Sequence, residues 1–288
     1  MGTFVEEIIK GRKTFFVAPD KSRFPESYLE EYLTAGYECY FIETDLFLPI
    51  STKIEVILSV FKDCIMFFNI DASIQKENWQ ILIPRLQKKY PDALFGITYS
   101  KRQTLQEKAS LEEFYLFKVG LKCGCIQLEY QKKNNFGIIE KALYANQAMG
   151  RRKNVRAVCG GSCTLKFVNS ENISVIAKLS DISISHFSFT LNLHDNVKIQ
   201  QYEKIKDIQF NIKGLHFTSD AVEFSSRETD TGILYVFAFT NPRGQAGLEE
   251  STKRLLIPRI YEIMSTNCQS LLTQLFNNIT HKIQKAAE

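Results

Sequence analysis

The sequence predicts an α/β doubly wound five-stranded parallel sheet, then an antiparallel six-stranded β-barrel, then a C-terminal helix. Over the first 149 residues, short apolar strand-like runs alternate five times with stretches of helical spacing, the pattern of successive β-α units with right-handed crossovers. From Val155 to Thr240 come six alternating or β-branched runs with Asn, Ser, Asp and Gly between them and no helical stretch, as in a closed antiparallel sheet. From Gln245 onward apolar residues again recur three and four apart. The expected domains are 1–149, 150–244 and 245–288.

In the first domain Thr14–Ala18 reads as a strand, and Ser27 is placed to cap a helix that Gly36 ends. Tyr37–Ile42 is the second strand, and Ser51–Phe61 has helical spacing. Cys64–Ile70 is a near-continuous apolar run, suited to a strand covered on both faces. Trp79–Tyr90 is an amphipathic helix with Pro84 expected to kink or restart it. Ala93–Tyr99, Gln103–Val119, Cys123–Leu128 and Phe136–Met149 continue the alternation.

In the second domain the strand-like runs are 157–168, 173–182, 187–193, 205–213, 216–224 and 232–240, with Gly160-Gly161 marking a bulge or bend. In Phe187-Ser-Phe-Thr-Leu-Asn-Leu every second residue is apolar, so one face is buried and the other wet. In the tail, Tyr261, Met264, Cys268, Leu271 and Leu275 form one stripe beside a second of Leu272, Phe276, Ile279 and Ile283. Leu271 and Leu275 are expected to face the chain's own core. Leu272 and Ile279 are expected to face a second copy, giving a homo-oligomer through the C-terminal helix.

Composition narrows the function classes. Lys+Arg number 36 against 32 Asp+Glu, and the resulting +4 is too mild for a general nucleic-acid binder. No uncharged run approaches a membrane span, and Phe4-Val5 is followed at once by Glu6-Glu7 rather than by a leader's apolar core, so a cytoplasmic location and no membrane insertion are expected. The seven scattered cysteines lack paired zinc spacing and the four histidines are dispersed; reduced thiols and no metal are expected. No GxSxG, no GxxxxGKS and no arrangement of nucleophile, base and orienting group occurs, so the chain is not read as an enzyme.

The chemistry concentrates at Arg151-Arg152-Lys153-Asn154-Val155-Arg156 and at Asp181-Ile182-Ser183-Ile184-Ser185-His186. Arginines four apart between two folded parts can present planar forks to phosphate oxygens or to the O6/N7 edge of guanine. Asp181 and Ser183 share one side of an extended chain. The carboxylate can accept from guanine N1 and N2 while the serine donates to a phosphate or a ring nitrogen. These groups suit an anionic, guanine-bearing ligand.

The two segments resemble the RxxxR and D/NxSxxG signatures of the PilZ domain family. Arg152 and Arg156 match RxxxR, with Arg151 as the frequent preceding arginine, and Asp181 and Ser183 match the second signature, while His186 stands where the family has glycine. The resemblance covers roughly 150–250. It implies a small β-barrel that binds cyclic di-GMP, with Arg151, Arg152, Arg156, Asp181, Ser183 and His186 at the ligand.

The first domain is similar to the receiver domains of response regulators, whose phosphoacceptor aspartate ends the third strand. Here Asp71 follows Phe67-Phe-Asn-Ile70, and Thr98 and Ser100 end the fourth strand near the family's hydroxyl position. The acidic pair after the first strand is reduced to Ala18-Pro19-Asp20, and Glu129-Tyr130-Gln131-Lys132 replaces the family's lysine-proline pair. One carboxylate fewer weakens a magnesium site, so a pseudo-receiver is expected. The expected whole is a bacterial cytoplasmic signalling adaptor that binds cyclic di-GMP and passes the signal to an unidentified protein partner. Alternatives are a ligand-free scaffold for a motility or secretion partner, and a response regulator driven by phosphorylation of Asp71.

Overall fold

In a computed structural model the described residues are 11–18, 26–43, 49–71, 73–74, 78–100, 104–129, 132–150, 153–192, 197 and 199–287, without the side chains of 26, 27, 132 and 279–287. The chain divides into two compact units, residues 1–153 with 268–288, and residues 154–267.

In the first unit β1 (Thr14–Val17), β2 (Cys39–Ile42), β3 (Ile65–Asn69), β4 (Leu94–Ser100) and β5 (Cys125–Leu128) form one parallel sheet in the order β2-β1-β3-β4-β5. This is the flavodoxin-like doubly wound order. Every residue of β1 and β3 is buried, which explains their unbroken apolar sequences. Phe16 stacks on Phe67 at 5.5 Å, and a Cβ added at Gly96 would meet Phe67 Cε1 at 2.6 Å. Glycine in mid-β4 therefore makes room for that ring.

The helices are α1 (Glu26–Thr34), α2 (Ile50–Val60), α3 (Trp79–Lys89), α4 (Leu105–Glu112) and α5 (Lys132–Ala145). Gly36, at φ +94°, ends α1 as expected: Tyr37 N–H reaches Tyr32 O and Gly36 N–H reaches Leu33 O, the two bonds of a Schellman stop. Ser27 lies inside α1 rather than before it. Pro84 does not interrupt α3, whose Trp79, Leu82, Ile83 and Leu86 are buried and hold it against the loss of one backbone bond. The expected single helix over 103–119 changes type. Thr104 and Glu107 form a capping box for α4, and Glu113–Val119 is π-helical up to Gly120 at φ +75°. The wider turn buries Tyr115 at 1 % exposure and leaves Phe117 at 81 %.

In the second unit β7 (Cys163–Val168), β8 (Ser174–Ile182), β9 (His186–Leu191), β10 (Lys204–Ile212), β11 (Leu215–Thr229) and β12 (Gly232–Thr240) close into a six-stranded antiparallel barrel, because β8 pairs with both β7 and β9. The expected strand over 157–168 is split. The two-residue β6 (Ala157–Val158) pairs with β8, and the chain turns through Gly160–Ser162 before β7. Alternate residues point inward, and Phe187, Phe189, Phe210, Phe237 and Phe239 form a continuous aromatic core with centroid spacings of 4.9–6.3 Å.

The helix α6 (Glu250–Ala287) continues through Pro258. Residues up to 267 belong to the second unit, where Leu256, Ile260, Ile263 and Met264 are buried, and later ones to the first, where Cys268 and Leu272 are buried. This corrects the assignment of Leu272 to self-association. At 5 % exposure it belongs to its own chain's core, while Leu271 and Leu275 are only half-buried. The side chains of Ile279 and Ile283 lie outside the described residues. No described helix is long and apolar enough to cross a membrane.

Candidate ligand-binding face at Arg156

Arg156 immediately precedes β6, whose pairing with β8 sets Ala157 opposite Ile182 and Val158 opposite Asp181. That register places the guanidinium beside the β8 carboxylate. Arg156 Nη1 lies 3.6 Å from Asp181 Oδ1, and both side chains retain 26 % exposure. The distance allows ion pairing but is too long for a hydrogen bond. Asp181 Oδ1 has no hydrogen-bond partner although the atom itself is buried. Its neighbour across the ladder is Ser188 on β9, whose fully buried Oγ is likewise unpartnered. A carboxylate oxygen and a hydroxyl thus lie on paired residues with unused hydrogen-bonding capacity, an arrangement that folding alone disfavours.

The β8–β9 connection is built on Ser183, which is 1 % exposed. Ser183 N–H donates to His186 O at 2.8 Å, while its Oγ accepts from His186 N–H at 3.0 Å and from Ser185 N–H at 3.3 Å. The hydroxyl donates back to His186 O at 3.1 Å. Ser183 therefore organises the turn. The side chain aimed at the surface network is Ser185, which sequence reading missed. Its Oγ receives Asn154 Nδ2 at 2.8 Å and lies 2.8 Å from His186 Nδ1. The signal available was the repeat of serine at every second place in Asp181-Ile-Ser-Ile-Ser, together with the one amide in the basic segment.

His186 opens β9 and does not have a positive φ. The turn demands no left-handed residue there, so the family's glycine is not needed for backbone reasons. Its half-buried ring meets the ring of Phe224 edge to face, centroids 5.6 Å apart at 79°. Burial lowers the imidazole pKa, the Arg156 charge lowers it further, and Asp181 opposes both. The histidine is consequently neutral at neutral pH. Arg151 and Arg152 lie outside the described residues; Arg156, Asp181, Ser183 and His186 are brought together.

In the first unit Asp71 lies two residues beyond the end of β3, and Ser100 is the last residue of β4. Ser100 N–H donates to Asp71 Oδ2 at 2.5 Å, and Asp71 N–H donates to Asn69 Oδ1 at 3.2 Å. The carboxylate thereby ties two strand ends together, and Thr98 is buried. Pro19, Asp20, Tyr130 and Gln131 are outside the described residues. Among the described residues no group of three or more His, Cys, Asp or Glu is placed to hold a metal ion.

No protein-family profile and no curated protein sequence matches the chain. It is similar to solved structures of Escherichia coli YcgR in complex with c-di-GMP (18 % identity, TM-score 0.31, 48 % of this chain and 51 % of that one). It is also similar to the PilZ domain of E. coli YcgR with c-di-GMP (18 %, 0.35, 42 % and 95 %). A third is the Bacillus subtilis inhibitor of motility MotI (12 %, 0.33, 40 % and 51 %). The matches to the first and third span about half of those chains.

Proposed function

We propose that the chain is a bacterial signalling adaptor of PilZ type that binds cyclic di-GMP on the barrel face around Arg156 and Asp181, without catalysing a reaction. The observation that supports this reading is the pair itself: opposite charges 3.6 Å apart, partly open to solvent, with a carboxylate oxygen left unbonded. A cyclic dinucleotide offers what each group lacks. Its phosphates or guanine O6/N7 edges accept from the guanidinium, and guanine N1–H and N2–H donate to the carboxylate. Arg151 and Arg152 would add charge-assisted contacts from the same segment. Ligand bound on this face would change the surface offered to a cytoplasmic protein partner.

Calorimetric titration of the full chain with cyclic di-GMP tests the reading. Saturable heat is expected, with affinity lowered about ten- to a hundredfold in Arg156→Ala, the loss of one charge-assisted contact worth about 1.5–3 kcal/mol. Absence of heat with wild-type protein rejects it.

One observation favours a second reading, a ligand-free interaction scaffold. The Ser183 hydroxyl is committed to its turn and an imidazole occupies the position where the family has no side chain. On that reading wild-type protein gives no heat while Arg156→Ala and Asp181→Ala still disturb a protein complex.

A further inference from the structure

Phe224 is out of place for a barrel strand. On β11 the inward side chains include Ala221 and Glu223, both buried, and the pairing with β12 slips between Glu223 and Ser225, so Phe224 is the extra residue of a β-bulge. The residue is 59 % exposed. One exposed phenylalanine is ordinary on a protein surface. Three features single this one out. The bulge re-aims the side chain, as bulges beside functional sites do. Across the ladder Ala238 pairs with both His186 and Val222, and its methyl leaves space for the β11 and β9 rings to meet over the intervening strand. His186 in turn shares its electrostatic surroundings with Arg156 and Asp181 and its hydrogen-bond network with Ser185 and Asn154. An open aromatic face therefore adjoins groups able to read a phosphate and a base edge.

We propose that Phe224, set edge-on to His186 by the β11 bulge, is a stacking platform for a guanine base of the bound cyclic dinucleotide. This rests on the ligand reading above and adds to it a residue outside both sequence signatures. His186 fixes the ring's orientation and is a positioning residue; Phe224 supplies the contact. A purine lying on the phenyl face leaves its hydrogen-bonding edges free for Arg156 and Asp181, because stacking uses only the π-surface. Imidazole in place of a glycine then has a purpose, since it buttresses the phenyl ring.

The test is titration of wild type, Phe224→Ala, Phe224→Leu and Phe224→Tyr with cyclic di-GMP, each variant first shown to be folded by its thermal midpoint. Stacking on one aromatic predicts about ten- to a hundredfold weaker binding for Phe224→Ala, from the usual loss of about 1–3 kcal/mol per base. Phe224→Leu, which keeps bulk without a ring, should also bind weakly, and Phe224→Tyr should bind like wild type. In NMR spectra of the wild-type complex the guanine H8 resonance should move upfield, and that shift should vanish in Phe224→Leu. If wild type binds and Phe224→Ala and Phe224→Leu bind within twofold of it, the platform is wrong while the ligand reading stands. If wild type does not bind, both are wrong.

Discussion

Arg156 and Asp181 face each other at 3.6 Å without a hydrogen bond, on residues that adjoin only because β6 pairs with β8 in one register. A pair of this kind contributes little to folding, about 0–1 kcal/mol when partly exposed. Its loose geometry leaves Asp181 Oδ1 with hydrogen-bonding capacity that the proposed ligand would use. Asp181→Asn should leave the thermal midpoint nearly unchanged and lower cyclic di-GMP affinity about ten- to a hundredfold, since guanine N1–H and N2–H would lose a charged acceptor. Calorimetry beside thermal unfolding separates the two effects. A large drop in midpoint with unchanged affinity would make Asp181 a structural residue.

Ser183 should behave in the opposite way. Its hydroxyl, 1 % exposed, accepts two backbone N–H groups that close the β8–β9 turn. Ser183→Ala leaves both donors without that partner, at a cost of about 1–3 kcal/mol. Faster amide hydrogen exchange at Ser185 and His186 would register the loss, along with a lower urea midpoint. Ser185→Ala, which removes a surface acceptor for Asn154, should leave stability close to wild type. Equal stability of Ser183→Ala and wild type would contradict the structural role.

What could be read from the sequence follows from how locally each feature is determined. Five β-α alternations, the Gly36 stop and six period-two runs depend on residues a few places apart, and they reappear as the parallel sheet, the Schellman stop and the closed barrel. The bend read at Gly160-Gly161 reappears as the break between Val158 and Cys163, whereas the π-helical turn after Glu112 and the bulge at Phe224 depend on neighbours far along the chain. The same holds for the candidate face. Arg156 and Asp181 were visible as chemistry, whereas Ser185, Asn154, Ser188 and Phe224 become neighbours only through strand register. Leu272 was misassigned because two adjacent stripes on one helix look alike until the surface that covers each is known.

That correction yields a prediction. With Leu272 at 5 % exposure, Leu272→Ala should destabilise the first unit by about 2–5 kcal/mol, and Leu272→Asp should do more, because an unpaired carboxylate would be buried. Trp79, the only tryptophan, is buried in the same unit and reports its unfolding by fluorescence in urea. A Leu272→Asp protein with a wild-type urea midpoint would return this residue to the surface.

The last expectation concerns pH. Burial of His186 and the adjacent Arg156 charge hold its folded pKa below the ordinary value of about 6.5, with Asp181 only partly compensating. The unfolded chain therefore binds more protons than the folded one as pH falls from about 6.5 toward the lowered folded value. Stability contributed by the neutral imidazole is present above that window, declines through it, and changes no further below it. Asp181→Asn removes the group that raises the pKa, so it should lower the folded value further and steepen the acid loss. His186→Gln keeps a neutral polar side chain beside Ser185 and should flatten the profile between neutrality and mild acid. The measurement is urea unfolding at several pH values from 5 to 8, followed by far-UV circular dichroism for wild type and both variants. If the profiles of wild type and His186→Gln run parallel, the imidazole titrates alike in the folded and unfolded chain and its lowered pKa is wrong.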